Sequence, residues 1–348
     1  MNLPKEYNKL ACFSATPSFR EAVSVITEPT PKLERDDVFL KTKYAGINAS
    51  DVNTTATRCW TEKPPFSVGI ESVAEVVAVG DGVKHLSVGS AVATINIPGF
   101  GAFSEYQRLP ASDVYPIPRA VPEVIPLLIS GLTAAIGLDE QGRIKCGETV
   151  LITAAAGGLG HLAVQWAKAA KCHVIGTCSS QEKELYLKSI GCEKVINYKT
   201  QNLGAELDKC YPNGVDVVWE TIGGKTFEVL LDRLSIKGRL VVVGAITGFQ
   251  DSDKAFPDVD LTDLPQKLLI RSASLSGFFL PQYSHLFSKY VTKLQKMLQD
   301  GTIVPKVDIG LNADGGEFKG LDGCVRGVEY LHSGKSVGKV VVKIDESA

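Results

Sequence analysis

Between Thr149 and Gly248 the sequence alternates strand-like runs with helical stretches of about ten residues, and this rhythm constrains the fold more than any other feature. TVLITAAA, CHVIGTC, KVINYK, GVDVVWETIG and RLVVVGAITG read as strands; HLAVQWAKAAK, QEKELYLKSIG and KTFEVLLDRLSI read as helices. Strands separated by such helices join through right-handed crossovers into a parallel sheet with helices on its faces. The expected class is therefore α/β, with a doubly wound parallel sheet. Val150 to Ala167 is apolar enough to suggest a membrane span, but Thr153, Gly157, Gly158, Gly160, His161 and Gln165 interrupt it. A buried strand, loop and helix explains it, and no membrane insertion is expected.

A different texture precedes this region. From Glu21 to Arg108 the runs DVFLKTKYAGIN, GIESVAEVVAVG, SAVATINI and FSEYQRL are separated by Gly, Pro and Asp turns and read as a compact β unit. After Pro118, PEVIPLLISGLTAAIGLDEQGRI carries apolar residues at helical spacing. Beyond the parallel sheet come a strand-like SLSGFFL, an amphipathic helix around Ser288 to Gln299, and a terminal VGKVVVKI, which is too far from the sheet's rhythm to continue it. That last run is expected to return to the first domain and make it discontinuous.

The 348 residues carry a net charge of −2, so no broad basic surface for nucleic acid is expected. Eight cysteines (Cys12, Cys59, Cys146, Cys172, Cys178, Cys192, Cys210, Cys324) form no C-x-x-C pair and read as reduced thiols. The five histidines include no pair at i, i+4, and no metal is expected. The N-terminus has no apolar signal core and the C-terminus no SKL-type address. A cytoplasmic location is the expectation.

After the strand TVLIT and before HLAVQWAKAAK stands Ala155-Ala156-Gly157-Gly158-Leu159-Gly160, an A-x-G-x-x-G form of the dinucleotide fingerprint. Gly157 lets backbone approach a pyrophosphate, Gly160 permits close helix packing, and the helix N-terminus offers N–H groups to the anion. The same glycines would also serve a tight turn. Where a carboxylate would accept from the adenosine 2′-hydroxyl, the next strand ends in Thr177, Cys178, Ser179 and Ser180, followed by Lys183. Hydroxyls and an ammonium suit a 2′-phosphate, so NADPH is the expected cofactor. The plainer alternative is that Ser179 caps the helix and Lys183 is a solvated surface residue. Tyr198 would stack on adenine or donate to the phosphate, or else be an ordinary half-buried tyrosine.

The string GIESVAEVVAVGDGVKHLSVGSAV, together with AAAGGLG, SSQEK and INYK, resembles the zinc-free, NADPH-dependent quinone-oxidoreductase branch of the medium-chain dehydrogenase/reductase superfamily. Further pieces in the same order (GINASDVN, KCHVIGTCSS, GVDVVWE, KGRLVVVG, LPQKLL, GFFL and GK-x-x-GK) extend the likeness over nearly the whole chain. The resemblance implies a Rossmann domain over 123–299 and a GroES-like, β-rich catalytic domain from 1–122 and 300–348. At the positions that hold zinc ligands in alcohol dehydrogenases this chain has Ala49 and, in Gly69-Ile70-Glu71, Ile70. The implied chemistry is therefore metal-free reduction of the activated C=C bond of an enone. The hydride would go to the β-carbon, with 15-oxo-prostaglandins as the implied small-molecule substrates and quinones as the alternative. A cofactor-binding protein without turnover is a further alternative.

By the same resemblance, Asn48 neighbours the nicotinamide, although it would also suit a turn or cap. Leu159 lies on the pyrophosphate loop with Gly157, Gly158 and Gly160, and Ser179, Ser180, Lys183 and Tyr198 surround the 2′-phosphate. Thr221, Val243 and Phe249 border the cofactor at later strand ends; Phe278, Phe279 and Leu280 present backbone to the carboxamide; Ser336 closes it from the C-terminal segment. In the plainer reading GFFL is a buried strand and Ser336 a loop residue. Relatives carry tyrosines where this chain has Cys59 and Phe249; Cys59 could donate a proton, although a cysteine is more often a small hydrophobe than an acid. Otherwise a cofactor ribose hydroxyl would stabilise the enolate and solvent would protonate it. Trp60, Phe100, Phe278 and Phe279 would line an apolar pocket. A homodimer is implied, paired along sheet edges, with RLVVVGAITG and ASLSGFF as candidate edges.

Overall fold

The computed structural model describes residues 3–58, 63–97, 101–250 and 254–345. Its contacts fall into two compact units, Met1–Ile129 with Lys306–Ala348, and Ser130–Pro305.

The first unit begins earlier than the alternation of the sequence suggests. β1 (Glu6–Cys12) pairs antiparallel with β2 (Val23–Pro29) along seven residues. Its burial does not alternate cleanly, because Leu10, Ala11 and Cys12 are all enclosed. The period-two signal is therefore lost. β3 (Asp37–Gly46) organises the larger sheet, with β4 (Phe66–Ser67) outside it on β1, and β5 (Glu71–Val79), β6 (Ala91–Ile95), β7 (Tyr106–Pro110) and β8 (Val114–Pro116) around it. β5 lies along one side of β3; β7 occupies part of the other.

A short 3-10 segment leads into α1 (Ile129–Glu140) and then the second unit. Residues 122–140 form the one helical run, among the described residues, long and apolar enough to cross a membrane; 72% of its most apolar window is buried by the fold. The run then alternates β9 (Thr149–Ile152), α2 (Gly160–Ala169), β10 (His173–Cys178), α3 (Gln181–Ser189), β11 (Lys194–Asn197), α4 (Leu203–Cys210), β12 (Val215–Glu220), α5 (Gly224–Leu231), β13 (Leu234–Val242), α6 (Leu264–Arg271) and β14 (Ser274–Gly277). All neighbours pair parallel, in the order β11-β10-β9-β12-β13-β14. The chain reverses its winding between β9 and β12, where a doubly wound sheet opens its ligand crevice.

Two expectations are corrected here. RLVVVGAITG is not an edge, because β13 is hydrogen-bonded on both sides and β14 alone ends the sheet on that flank. Leu234–Ile236 belong to β13 and not to the preceding helix, since Val215 registers with Leu234. Helix α4, capped by the Asn202 side chain, was not legible because its eight residues carry few buried side chains. After α7 (Phe287–Gln299) the chain leaves this unit and adds β15 (Val307–Asp308), α8 (Gly320–His332) and β16 (Lys339–Lys343) to the first. β16 runs antiparallel to β3, Val341 opposite Gly46. Its Val340 and Val342 pack with Leu10, Phe19, Ile47, Phe103 and Phe318, so the first unit's core needs both ends of the chain.

Candidate functional site

In the second unit the glycine loop follows β9 directly. Ala154 adopts φ 46°, a left-handed turn, and its carbonyl accepts from Gly157 N at 3.0 Å. A Cβ on Gly160 would lie 2.6 Å from Ala155 Cα and closer still to the Ala154 carbonyl oxygen. No side chain fits there. Gly160 begins α2 with Leu159 as its cap residue, so the N-terminus of a helix lies just after the end of β9. The Gly157 carbonyl accepts from His161 N at 3.1 Å and meets His161 Nδ1 at 2.9 Å.

At the end of β10 it is Ser180, not Ser179, that caps α3, its Oγ accepting from Lys183 N at 3.2 Å. Tyr198 follows β11, donates its N–H to Cys178 O at 3.1 Å and is 48% exposed. The parallel register thus brings Ser179, Ser180 and Tyr198 to neighbouring strand ends. Lys199, which sequence reading passed over, carries its ammonium 5.8 Å from the Tyr198 ring centre.

Across the winding reversal, Thr153 ties β9 to β12: its hydroxyl stands 2.9 Å from that of Thr221, accepts from Thr221 N at 2.9 Å and reaches Trp219 O at 3.1 Å. Val243 donates to Glu220 O at 2.8 Å. Glu220 is fully buried, its Oε1 accepting from Ile222 N and Gly223 N, and burial pushes its carboxyl above the usual range. Phe249 closes a short helical turn after β13 and is buried. The Phe278 ring is taken up by packing, stacked 4.8 Å from Tyr283 and 6.1 Å from Trp219, and Phe278 N donates to Val242 O. The aromatic ring is therefore core, not a pocket wall. Phe279 is half-exposed, and Leu280 opens a 3-10 segment. All these positions follow the carboxyl ends of strands in one sheet.

Asn48 and Ser336 belong to the first unit, both buried. Asn48 is not a cap. Its Oδ1 accepts from Lys339 Nζ at 2.7 Å, and its Nδ2 donates to Glu71 Oε1 at 2.9 Å and leans on Gly46 O at 3.4 Å. Its backbone N–H donates to Asp51 Oδ2 at 2.8 Å. Lys339 and Glu71 form an ion pair at 2.5 Å with side chains 2% and 0% exposed, and Glu71 Oε2 accepts from Ile129 N at 2.8 Å. Burial pushes the Asp51 carboxyl up to about 7 against the pull of Asn48 N–H and Lys339. Sequence reading missed Asp51, only three residues on, and Glu71, because no periodicity marks their hydrogen bonds to Asn48, and Lys339 because it lies 291 positions away. Cys59, Trp60 and Phe100 lie outside the described residues.

Residues 34–119 match the family model of an alcohol dehydrogenase GroES-like domain, and 158–296 that of a zinc-binding dehydrogenase. Prostaglandin reductase-3 of Mus musculus is 44% identical over 98% of this chain and 90% of its own length. The chain belongs to the medium-chain dehydrogenase/reductase family. A second relative, the probable quinone oxidoreductase of Leishmania amazonensis, is 40% identical over 99% of this chain and its entire length. Among solved structures, the Escherichia coli quinone oxidoreductase complexed with NADPH superposes with TM-score 0.82 at 27% identity, covering 97% and 99% of the two chains. This family member's residues do not fit the zinc of its namesakes. Ile70 is buried and apolar, Ala49 has no ligand atom, and the adjacent Glu71 carboxylate is spent on Lys339, Asn48 and Ile129. Among the described residues no three His, Cys, Asp or Glu side chains converge on a point.

Proposed function

We propose that this protein is an NADPH-dependent reductase of activated C=C bonds, with 15-oxo-prostaglandin-like enones as substrates. The observation that carries the reading is the 44% identity to prostaglandin reductase-3 over nearly the whole chain. A phosphate loop and hydroxyl-bearing strand end that fit NADPH stand beside it. Bound NADPH supplies the hydride that reduces the β-carbon of the enone.

The chain's own residues divide the remaining work. The 130–305 unit binds the cofactor, with Gly157, Gly158, Leu159 and Gly160 offering backbone to its pyrophosphate. Ser179, Ser180, Lys183 and Tyr198 hold the 2′-phosphate through hydroxyl and ammonium donors, a set that a carboxylate in the same place would oppose. Thr221, Val243, Phe249 and the Phe278–Leu280 backbone border the ribose and carboxamide. Asn48 and Ser336 neighbour the nicotinamide end of the cofactor. Phe249 has no phenol, so protonation at the α-carbon falls to Cys59 or to solvent. The molecule works as a homodimer joined along β14, the open sheet edge; Leu269 and Ile270, just upstream, are 79% and 66% exposed in the single chain.

The deciding experiment follows consumption of NADPH and of NADH with a 15-oxo-prostaglandin and determines whether the 13,14 bond or the carbonyl is reduced. Double-bond reduction requiring NADPH supports the reading. The Leishmania relative favours one second reading, so quinones are assayed in parallel. Turnover on quinones alone would move the protein to that activity, and tight NADPH binding without turnover on either would leave a binding role.

A further inference from the structure

We propose that Glu71 and Lys339 are positioning residues for Asn48, and that they restrict Asn48 to accepting, never donating, a hydrogen bond toward its ligand. The inference rests on and deepens the reading above, in which Asn48 is a neighbour of the nicotinamide. An asparagine amide ordinarily presents either its oxygen or its nitrogen with little to choose between them. Here the choice is forced by charge. The Lys339 ammonium has only donors, so the group 2.7 Å from it must be Oδ1; the Glu71 carboxylate has only lone pairs, so the group 2.9 Å from it must be Nδ2. Turning the amide over would set NH2 against the ammonium and C=O against the carboxylate, two repulsive contacts among fully buried groups.

What remains after these bonds decides the role. Both Nδ2 protons are directed inward, one to Glu71 and one toward Gly46 O, while Oδ1 keeps a second lone pair. The backbone is fixed as well, by Asp51 Oδ2 on Asn48 N. Asn48 can thus receive a hydroxyl or amide N–H of a ligand but has no proton to give to a developing enolate oxygen. A buried ion pair is weak as a stabilising device, since an apolar pair of similar size does as well or better. Both partners of this one bond the same amide, which gives the pair a reason to be ionic.

The test removes the acceptor first and then the pair that holds it. Asn48→Ala is expected to lose about tenfold in NADPH affinity, the scale of one hydrogen bond, read by quenching of tryptophan fluorescence. An unchanged affinity would mean that Asn48 accepts nothing from the ligand, and would overturn the proposal. In a second arm, Glu71→Gln/Lys339→Met removes the ion pair without leaving a lone buried charge. It should weaken NADPH as much as Asn48→Ala, with no further loss in the triple variant; additive losses would make the pair merely structural. The Asn48 side-chain amide signal in a 1H–15N spectrum reads the same question without cofactor: it should broaden and exchange faster with water once the pair is gone, and an unchanged signal would refute positioning. Wild type that binds no NADPH would instead refute the cofactor reading, while the amide signal still decides the positioning claim.

Discussion

At the scale of single residues, the site turns on which polar atoms are already spent. Ser180 gives its lone pair to the α3 amide and keeps a proton, whereas Asn48 spends its protons and keeps a lone pair. Lys183→Ala is expected to weaken NADPH about tenfold, as for loss of a charge-assisted bond, and to leave NADH binding unchanged; parallel fluorescence titrations check this. A second expectation concerns Asp51. Its carboxyl, pushed up to about 7 by burial, holds its proton in the fold far above the pH at which the unfolded chain releases it. The stability it contributes is therefore fully present below about pH 4 and is lost as pH rises toward 7, by up to about 4 kcal/mol. Asp51→Asn should remove that part of the pH slope, so unfolding midpoints of variant and wild type, compared from pH 4 to 8, should diverge in slope only below about pH 7. Asn48 itself was named from the sequence, but its partners were not, since a lysine in a terminal strand carries no local mark of a distant asparagine.

Among elements, the glycine loop was the most legible, because the strand, the loop and the helix are contiguous and their chemistry is backbone chemistry. Gly160→Val should lower the thermal midpoint by several degrees and abolish NADPH binding, as its side chain would have to displace the Ala154–Ala155 backbone, which has no other place to go. Calorimetry with and without NADPH reads both effects. The strand edge was only half legible. RLVVVGAITG and ASLSGFF both read as apolar strands, and only the register Arg239↔Ser274 to Val242↔Gly277 decides that the second covers the first. Leu269→Glu/Ile270→Glu should leave the unfolding midpoint within a degree or two and shift sedimentation from dimer to monomer, because neither side chain is buried within the single chain. The Phe278 ring shows the limit of reading an aromatic pair as a pocket: two adjacent rings point to different environments, and Trp219 with Tyr283 claims one of them.

Over the whole molecule, one unit is contiguous and the other is closed by the last strand. Removing residues 339–348 is expected to prevent folding of the first unit, since it deletes Val340 and Val342 from the core and leaves the Glu71 carboxylate without its ammonium. The truncated chain should therefore lose the cooperative transition of that unit while a cofactor-dependent transition from the 130–305 unit survives in calorimetry. The sequence by itself determined the parallel α/β unit, the glycine loop between its first strand and helix, and the family. Each of these is written in short-range periodicity or in contiguous motifs, where neighbouring residues face the same solvent, core or ligand. Only the tertiary structure decided which strand ends the sheet, which serine caps α3 and which atoms of Asn48 remain available. Those depend on pairing register and on the meeting of Asn48, Glu71 and Lys339. Burial couples such groups through space at a strength that water denies them, and no local pattern in the chain records it.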